Sequence, residues 1–153
     1  MTIRKAPATN VLAHDPATDW MVAIQTKTAS FGNRFRLGPK DEVPSTVENE
    51  WYVFVGLAGA GERPTFFVVP RNVVAGMIFA QNRHWLATPS RSGAPHKAWS
   101  TRIVDGKDVE TYRERWDFLH LPTAEVPLLI DEEVLAVAEE YGLPDGHPGW
   151  PAP

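Results

Sequence analysis

The pattern of apolar and polar positions predicts a β-hairpin near the start of the chain. Residues 10–14 and residues 20–28 both read as strands, rich in apolar and β-branched side chains. Between them, the Asp-Pro-Ala-Thr-Asp of residues 15–19 is typical of a turn, because proline favours its first central position and aspartate can bond the nearby backbone. Side chains alternate across a strand, so Gln25 and Lys27 are expected to share one face of the second strand.

Two further strands and a helix are predicted in the middle of the chain. Residues 51–57 are aromatic and β-branched without polar alternation, which indicates a central strand buried on both faces. Residues 65–69 read as the next strand, and apolar side chains at helical spacing predict a helix over residues 73–86. Residues 30–50 contain glycine and proline and read as a long polar loop, a kind of segment that is often functional.

The remaining elements are shorter and end in a capped helix. Residues 98–104 indicate a short strand, and residues 109–119 indicate a helix with aromatic side chains on its apolar face. A last helix is predicted over residues 132–141, where Asp131 can cap the first turn and Gly142 can end the last one.

The order of these elements and the length of the chain predict one domain. Mixed strands and helices indicate an α/β or α+β fold with a central mixed sheet flanked by helices. The chain has 153 residues, of which 43% are hydrophobic and 22% charged, an ordinary globular composition. We expect a single domain over residues 1–153, with its core in residues 8–120 and an acidic connector, helix and tail in residues 121–153.

Charge is unevenly distributed along the sequence. Residues 1–115 contain all 15 lysines and arginines and have a net charge of +4. The charged residues of segment 116–153 are all acidic and give it a net charge of −8. This asymmetry is compatible with a basic binding face beside an acidic tail. The alternative is that the acids solvate the terminal helix and stabilise its start.

Cysteine content and the lack of long apolar runs bear on the compartment. Cysteine is absent, which excludes disulfides and thiolate metal sites and favours a reducing cytoplasm. The first residues are basic but no apolar run follows them, so no signal peptide is predicted. No stretch approaches about 18 consecutive apolar residues, so we expect a cytoplasmic protein without a membrane partner.

The second strand, which ends Ile-Gln-Thr-Lys-Thr, resembles the (E/Q)xK strand of the PD-(D/E)xK nuclease superfamily, whose fold is restriction-endonuclease-like. Later segments are similar to small bacterial members of that superfamily: Trp-Tyr-Val-Phe-Val, Phe-Phe-Val-Val-Pro-Arg-Asn-Val-Val-Ala and Tyr-Arg-Glu-Arg-Trp-Asp-Phe-Leu. The resemblance covers roughly residues 8–120. It also implies a helix and a strand ahead of the hairpin, where the chain has at most nine residues, so we expect a core truncated at its N-terminus.

The resemblance implies a metal-dependent site on the hairpin. In this superfamily two acidic residues on adjacent strands hold Mg²⁺, and the lysine orients the attacking water and stabilises the developing phosphate charge. At the corresponding positions Asn10 and Gln25 would be the metal ligands, while Gln25 and Lys27 would be the catalytic residues. A four-residue hairpin loop would pair Asp15 with Trp20 and would place Asn10 beside Gln25.

Amides at both metal positions change what this site is expected to do. Mg²⁺ is a hard cation that favours carboxylates, so Asn10 and Gln25 would hold it poorly. We therefore expect a nuclease-like protein, catalytically weak or inactive, that binds nucleic acid such as DNA or a protein partner. The predicted nucleic-acid contacts are the basic residues of the long loop, Arg34, Arg36 and Lys40.

Three alternatives stay open from the sequence. One is an active Mg²⁺-dependent DNA endonuclease in which Glu48 or Glu50 supplies the missing carboxylate. Another is a non-enzymatic interaction protein, a homo-oligomer whose neighbour completes the missing N-terminal layer. For Lys27 itself, a structural role is open, because a lysine near the end of a strand can pack its stem and keep its ammonium in water.

Overall fold

Six strands and two α-helices form an α+β domain in the part of the chain that the computed structural model describes, residues 11–30, 32–98 and 100–149. The strands are β1 (Val11–Asp15), β2 (Trp20–Ala29), β3 (Arg34–Leu37), β4 (Glu50–Gly56), β5 (Thr65–Pro70) and β6 (Arg102–Asp105). The α-helices are α1 (Arg71–Ala87) and α2 (Glu132–Tyr141), and 3₁₀ helices cover Pro39–Glu42, Gly106–Tyr112, Trp116–His120 and Thr123–Glu125. A mixed sheet has the strand order β1-β2-β4-β5, and a second sheet pairs β3 with β6.

The predicted hairpin is confirmed, and so is its register. β1 pairs antiparallel with β2, and Asp15 lies opposite Trp20 as a four-residue loop requires. The carboxylate of Asp15 accepts hydrogen bonds from the Ala17 N–H and the Thr18 hydroxyl, both at 2.9 Å. These bonds satisfy the polar groups of the turn locally, which is why the turn can be read from its sequence.

β4 is the central strand that its apolar run predicts. It pairs in parallel with β2 and antiparallel with β5. Four consecutive side chains of this strand are buried, namely Trp51, Tyr52, Val53 and Phe54. Since neighbouring side chains of a strand point to opposite faces, both faces of the sheet are covered here.

Different elements cover the two faces of the central sheet. The face that carries Tyr52 packs against β3, α1 and the 3₁₀ helix Pro39–Glu42, and α1 in turn packs against α2. On the opposite face the Trp20 indole N–H donates to the Leu119 carbonyl at 2.7 Å. Helices therefore enclose the sheet on one side. On the other side it is covered by the segment around residues 116–130, which contains two short 3₁₀ helices.

The two α-helices match the elements that the sequence predicts. α1 begins two residues earlier than predicted, and its buried positions include Val74, Met77 and Ile78. Trp85, near its C-terminal end, is 40% exposed and does not belong to the buried face. No helix in the described part of the chain is long and apolar enough to cross a bilayer.

α2 shows both predicted end signals and lies in the core. The Asp131 carboxylate accepts a hydrogen bond from the Glu133 N–H at 2.8 Å, and Gly142 follows the helix with φ +78°. Buried core side chains beyond residue 120 include Val126, Ile130 and Val134. The acidic segment therefore contributes to the hydrophobic core in addition to solvating the surface.

The prediction of a long polar loop over residues 30–50 was wrong. β3 lies inside this segment and pairs antiparallel with β6, and the 3₁₀ helix Pro39–Glu42 follows it. Phe35 and Leu37 of β3 are buried, whereas Arg34 and Arg36 are exposed. This alternation has the period of a strand, but only four residues carry it.

The prediction of one helix over residues 109–119 was also wrong. Two 3₁₀ helices occupy this segment and are separated around Glu114, which has φ +54°. A left-handed residue cannot continue a right-handed helix. The predicted strand over residues 98–104 is shorter than expected, since β6 begins at Arg102 and pairs with β3 outside the central sheet.

Candidate nucleic-acid interface

Three of the predicted functional side chains meet in one shallow depression. Lys27 near the end of β2 lines it together with Arg34 and Arg36 of β3 and Ile103 of β6, and its volume is about 450 Å³. The structure therefore brings the predicted catalytic lysine beside two of the three predicted nucleic-acid contacts. We call the side chains of Lys27, Arg34 and Arg36 the cationic patch.

Packing of β3 explains why its two arginines reach the surface. The ring of Phe35 contacts Phe54 of β4 and Phe67 of β5, with centroid distances of 4.8 Å and 6.0 Å. This aromatic contact fixes one face of β3 against the central sheet. Arg34 and Arg36 alternate with the buried side chains, so both project from the other face.

The cationic patch is only partly neutralised. Arg34 forms an ion pair with Asp105, in which Nε lies 3.1 Å from Oδ1, and its side chain is 65% exposed. No carboxylate of the described residues lies within 4.0 Å of the cationic group of Lys27 or Arg36. Two neighbouring cations without an acidic partner create a local positive potential that attracts anions.

Asn33 fixes the segment that leads into β3. Its backbone is left-handed, with φ +47°, and its carbonyl accepts a hydrogen bond from the Gly106 N–H at 2.8 Å. A Cβ added at Gly56 would lie 1.9 Å from Asn33 Oδ1, and one added at Gly106 would lie 2.8 Å from Asn33 Cβ. Two glycines on different elements therefore make room for Asn33, which holds the adjoining Arg34 in position.

Of the two predicted metal ligands, Gln25 lies in the described part of the chain. Gln25 shares a face of β2 with Lys27 and lies beside Tyr52 in the register with β4. Asn10 lies outside the described residues. Among the described side chains no group of three histidines, cysteines or acids could hold a metal ion. Gln25 offers one neutral oxygen, which does not fit the preference of Mg²⁺ for carboxylates.

Neither glutamate considered as a replacement ligand lines the cationic patch. Glu50 accepts a hydrogen bond from Arg71 Nη1 at 2.7 Å, and both side chains are less than one-fifth exposed. Its charge is therefore already neutralised inside the protein. Glu48 lines a separate groove with His147. The third predicted nucleic-acid contact, Lys40, does not line the depression either.

The sequence reasoning missed a buried carboxylate beside the sheet. Asp41 is 3% exposed and accepts hydrogen bonds from the Tyr52 hydroxyl and the Gly38 N–H, both at 2.7 Å. Burial, together with the hydrogen bond to Asp41, raises the pKa of Tyr52 far above its ordinary value. Acids after a Gly-Pro pair indicate a helix start, but nothing local identifies the tyrosine as a partner.

The cationic patch has the chemistry of an anion site. Arginine presents a planar fork of donors that matches phosphate oxygens, and lysine adds a compact charge. Comparison with known proteins finds no family model, no curated protein and no solved structure that matches the chain. The function of the patch is therefore inferred from its geometry and charge.

Proposed function

We propose that this protein binds nucleic acid through the cationic patch and has weak or no nuclease activity. The observation that carries the proposal is the convergence of Lys27, Arg34 and Arg36 on one depression. Lys27 and Arg36 have no carboxylate within 4.0 Å among the described residues, so they are available for phosphate oxygens. DNA is the first ligand to test, because its regularly spaced phosphates suit a cluster of cations.

A nuclease-like scaffold of the PD-(D/E)xK type is part of the proposal. It is supported by the resemblance of the β2 sequence and by the hairpin that places Gln25 and Lys27 on one face. Low catalytic activity is supported by the amide of Gln25 and by the ion pair that occupies Glu50. Since Gln25 is a neutral amide, a metal ion beside it would find too little negative charge to be held for metal-assisted activation of water.

A salt titration of DNA binding tests the proposal. Fluorescence anisotropy with a labelled duplex is expected to give an affinity that falls as salt rises, because bound cations release counterions from the phosphates. Lys27→Ala and Arg36→Ala should each weaken binding and reduce the slope of log affinity against log salt by about one. Arg91→Ala, which removes an exposed cation that does not line the depression, is the matched control. The absence of binding at low salt, or unchanged slopes in both patch variants, would overturn the proposal.

Cleavage is assayed with the same proteins. If the chain is an active endonuclease, Mg²⁺ or Mn²⁺ will support cleavage that Lys27→Ala abolishes. Equal cleavage by the wild type and by Lys27→Ala would indicate a contaminating nuclease. We expect no cleavage above the level seen with a chelator.

The exposed edge of the central sheet favours homo-oligomerisation as a second candidate. β1 is an edge strand, and no described strand pairs with its outer side. Val11 and Leu12 of β1 and the neighbouring Met21 are 45%, 61% and 47% exposed. Edges of this kind pair readily with another chain. Sedimentation analysis of the wild type and Leu12→Lys tests this, and a monomer in both cases would exclude it.

A further inference from the structure

A larger cleft continues from the cationic patch. It lies between α1, β6 and α2, has a volume of about 570 Å³, and shares Arg34 and Ile103 with the depression of the patch. This volume is in the range of sites for small molecules. Its polar lining includes amides and acids, among them Gln81, Asn82 and Asp108, together with Lys107 and with Arg102, which is paired with Glu42.

Several polar atoms of the cleft have hydrogen-bonding capacity left. Asp108 Oδ2 accepts from Gln81 Nε2 and from the Asp105 N–H, both at 3.3 Å and therefore long. Its other oxygen has no hydrogen-bond partner among the described residues, and neither has the amide of Asn82. Burial raises the pKa of Asp108, as expected of a carboxylate held in a partly enclosed site.

Beside these polar side chains, the cleft is also lined by apolar surface. Ile78 of α1 and Val134 of α2 are buried and form part of the lining, and the Trp85 indole stands at one side. The carboxylates of Asp108 and Glu133 in this lining can accept hydrogen bonds from N–H donors of a ligand. A planar ring with amino and ring nitrogens on its edge matches both properties.

We propose that this cleft takes an unpaired cytosine, while the cationic patch holds the adjoining phosphates. The inference rests on the proposed nucleic-acid binding function and names its ligand as a single strand. The Asp108 carboxylate can accept a hydrogen bond from the amino group of cytosine, and the Asn82 amide can donate to the ring nitrogen or carbonyl oxygen of the same base. In a duplex the bases are stacked and their Watson–Crick edges are paired. An unpaired base is therefore needed to present these edges inside a cleft.

Arg34 connects the two parts of this surface. It is ion-paired with Asp105 in the lining of the cleft, and it also lines the depression that contains Lys27 and Arg36. A strand that follows this path places a phosphate against Arg34 next to the base in the cleft. Sequence preference then comes from the cleft, and salt dependence comes from the patch.

Oligodeoxycytidylate, oligothymidylate and a hairpin duplex of matched length are the ligands for the test. At one low salt concentration we expect the wild type to bind oligodeoxycytidylate about tenfold more tightly than the other two, the value of one good base contact. Asn82→Leu should remove this advantage without changing the salt slope. Lys27→Ala should weaken binding of all three ligands, and Thr88→Leu, at an exposed position just after α1, is the control.

Asp108→Asn is the second cleft variant, because it keeps the shape of the side chain. It decides the test if circular dichroism shows that Asn82→Leu folds poorly. It replaces a carboxylate oxygen with an amide donor, so the preference for oligodeoxycytidylate over oligothymidylate should fall about tenfold. Salt-dependent binding of equal affinity for all three ligands would overturn the cleft inference and leave the patch function standing. No binding of any ligand at low salt would overturn both.

Discussion

Replacing Tyr52 by phenylalanine tests the buried carboxylate beside the central sheet. Tyr52 has no exposed surface, and its hydroxyl donates to Asp41 Oδ1 at 2.7 Å. The other Asp41 oxygen accepts from the Gly38 N–H. Phenylalanine keeps the aromatic ring, which stacks on Phe54 with the ring planes 2° apart. The substitution therefore removes one hydrogen bond and little packing.

The expected loss follows from the charge and burial of the acceptor. A hydrogen bond to a charged group contributes about 1.5–3 kcal/mol, and a buried acceptor left without its donor also bears the cost of desolvation. We expect Tyr52→Phe to lower the free energy of unfolding by about 2–3 kcal/mol. Because burial and Asp41 raise the pKa of Tyr52 far above its ordinary value, the hydroxyl is protonated at neutral pH and the full effect is present there.

Tyr112→Phe is the matched control. The Tyr112 hydroxyl is also buried, but it donates to the Pro127 carbonyl at 3.1 Å and accepts from the Leu129 N–H at 2.9 Å, both of them neutral groups. Tyr112→Phe removes two hydrogen bonds to neutral groups, each of which contributes about 1 kcal/mol.

The assay is urea unfolding at neutral pH, followed by tryptophan fluorescence and analysed by linear extrapolation. The double variant with Asp41→Asn completes a thermodynamic cycle and isolates the coupling between the tyrosine and the carboxylate. A loss per hydrogen bond for Tyr52→Phe no larger than that for Tyr112→Phe would refute the reasoning that the buried charge sets the magnitude.

Three further predictions concern residues beside the cationic patch, at the start of α2 and in the cleft. Gly56→Ala should cost about 1–3 kcal/mol by overpacking against Asn33, and adding Asn33→Gly should recover most of that loss in urea unfolding; no recovery would mean that the clash is elsewhere. Asp131→Ala should cost about 1 kcal/mol, because the cap on the Glu133 N–H is lost, and an unchanged unfolding midpoint would contradict the cap. Burial raises the pKa of Asp108 above its ordinary value of 3.8, so its ionised form destabilises the folded protein above the raised pKa, and this penalty is relieved as pH falls. The stability of Asp108→Asn relative to wild type should therefore be greatest near neutral pH and decline toward pH 4 in thermal unfolding, and a relative stability that rises toward pH 4 would contradict this.

Elements with strong local signals are the ones that the sequence predicts. The turn that follows Asp15, the apolar run of β4 and the Asp131–Gly142 caps each contain their own structural reason, and each element forms as expected. β3 has only four residues, and its pairing partner is β6, far along the chain. The left-handed conformation of Glu114 is likewise not indicated by its residue type, because glutamate rarely adopts a positive φ.

In the candidate site, too, the features set by local sequence can be predicted, whereas those set by tertiary contacts cannot. Alternation along one strand is enough to place Gln25 and Lys27 on a common face, which the register confirms. The meeting of Lys27 with Arg34 and Arg36 depends on β3 pairing with β6, and no local pattern reports that pairing. The Glu50–Arg71 ion pair and the Asp41–Tyr52 hydrogen bond are likewise tertiary, so the sequence shows the charges without showing which of them are already neutralised.

The pairing of β3 with β6 also bears on when the cationic patch can form during synthesis of the chain. β3 precedes β4, β5 and α1 in the chain, whereas β6 follows them, so the ends of a long loop must meet before the two strands pair. A strand of four residues is not stable without its partner. A nascent chain that ends before residue 102 therefore contains all three cations of the patch but does not yet hold them together. We therefore expect the cationic patch to form late, after the segment that contains β6 has left the ribosome.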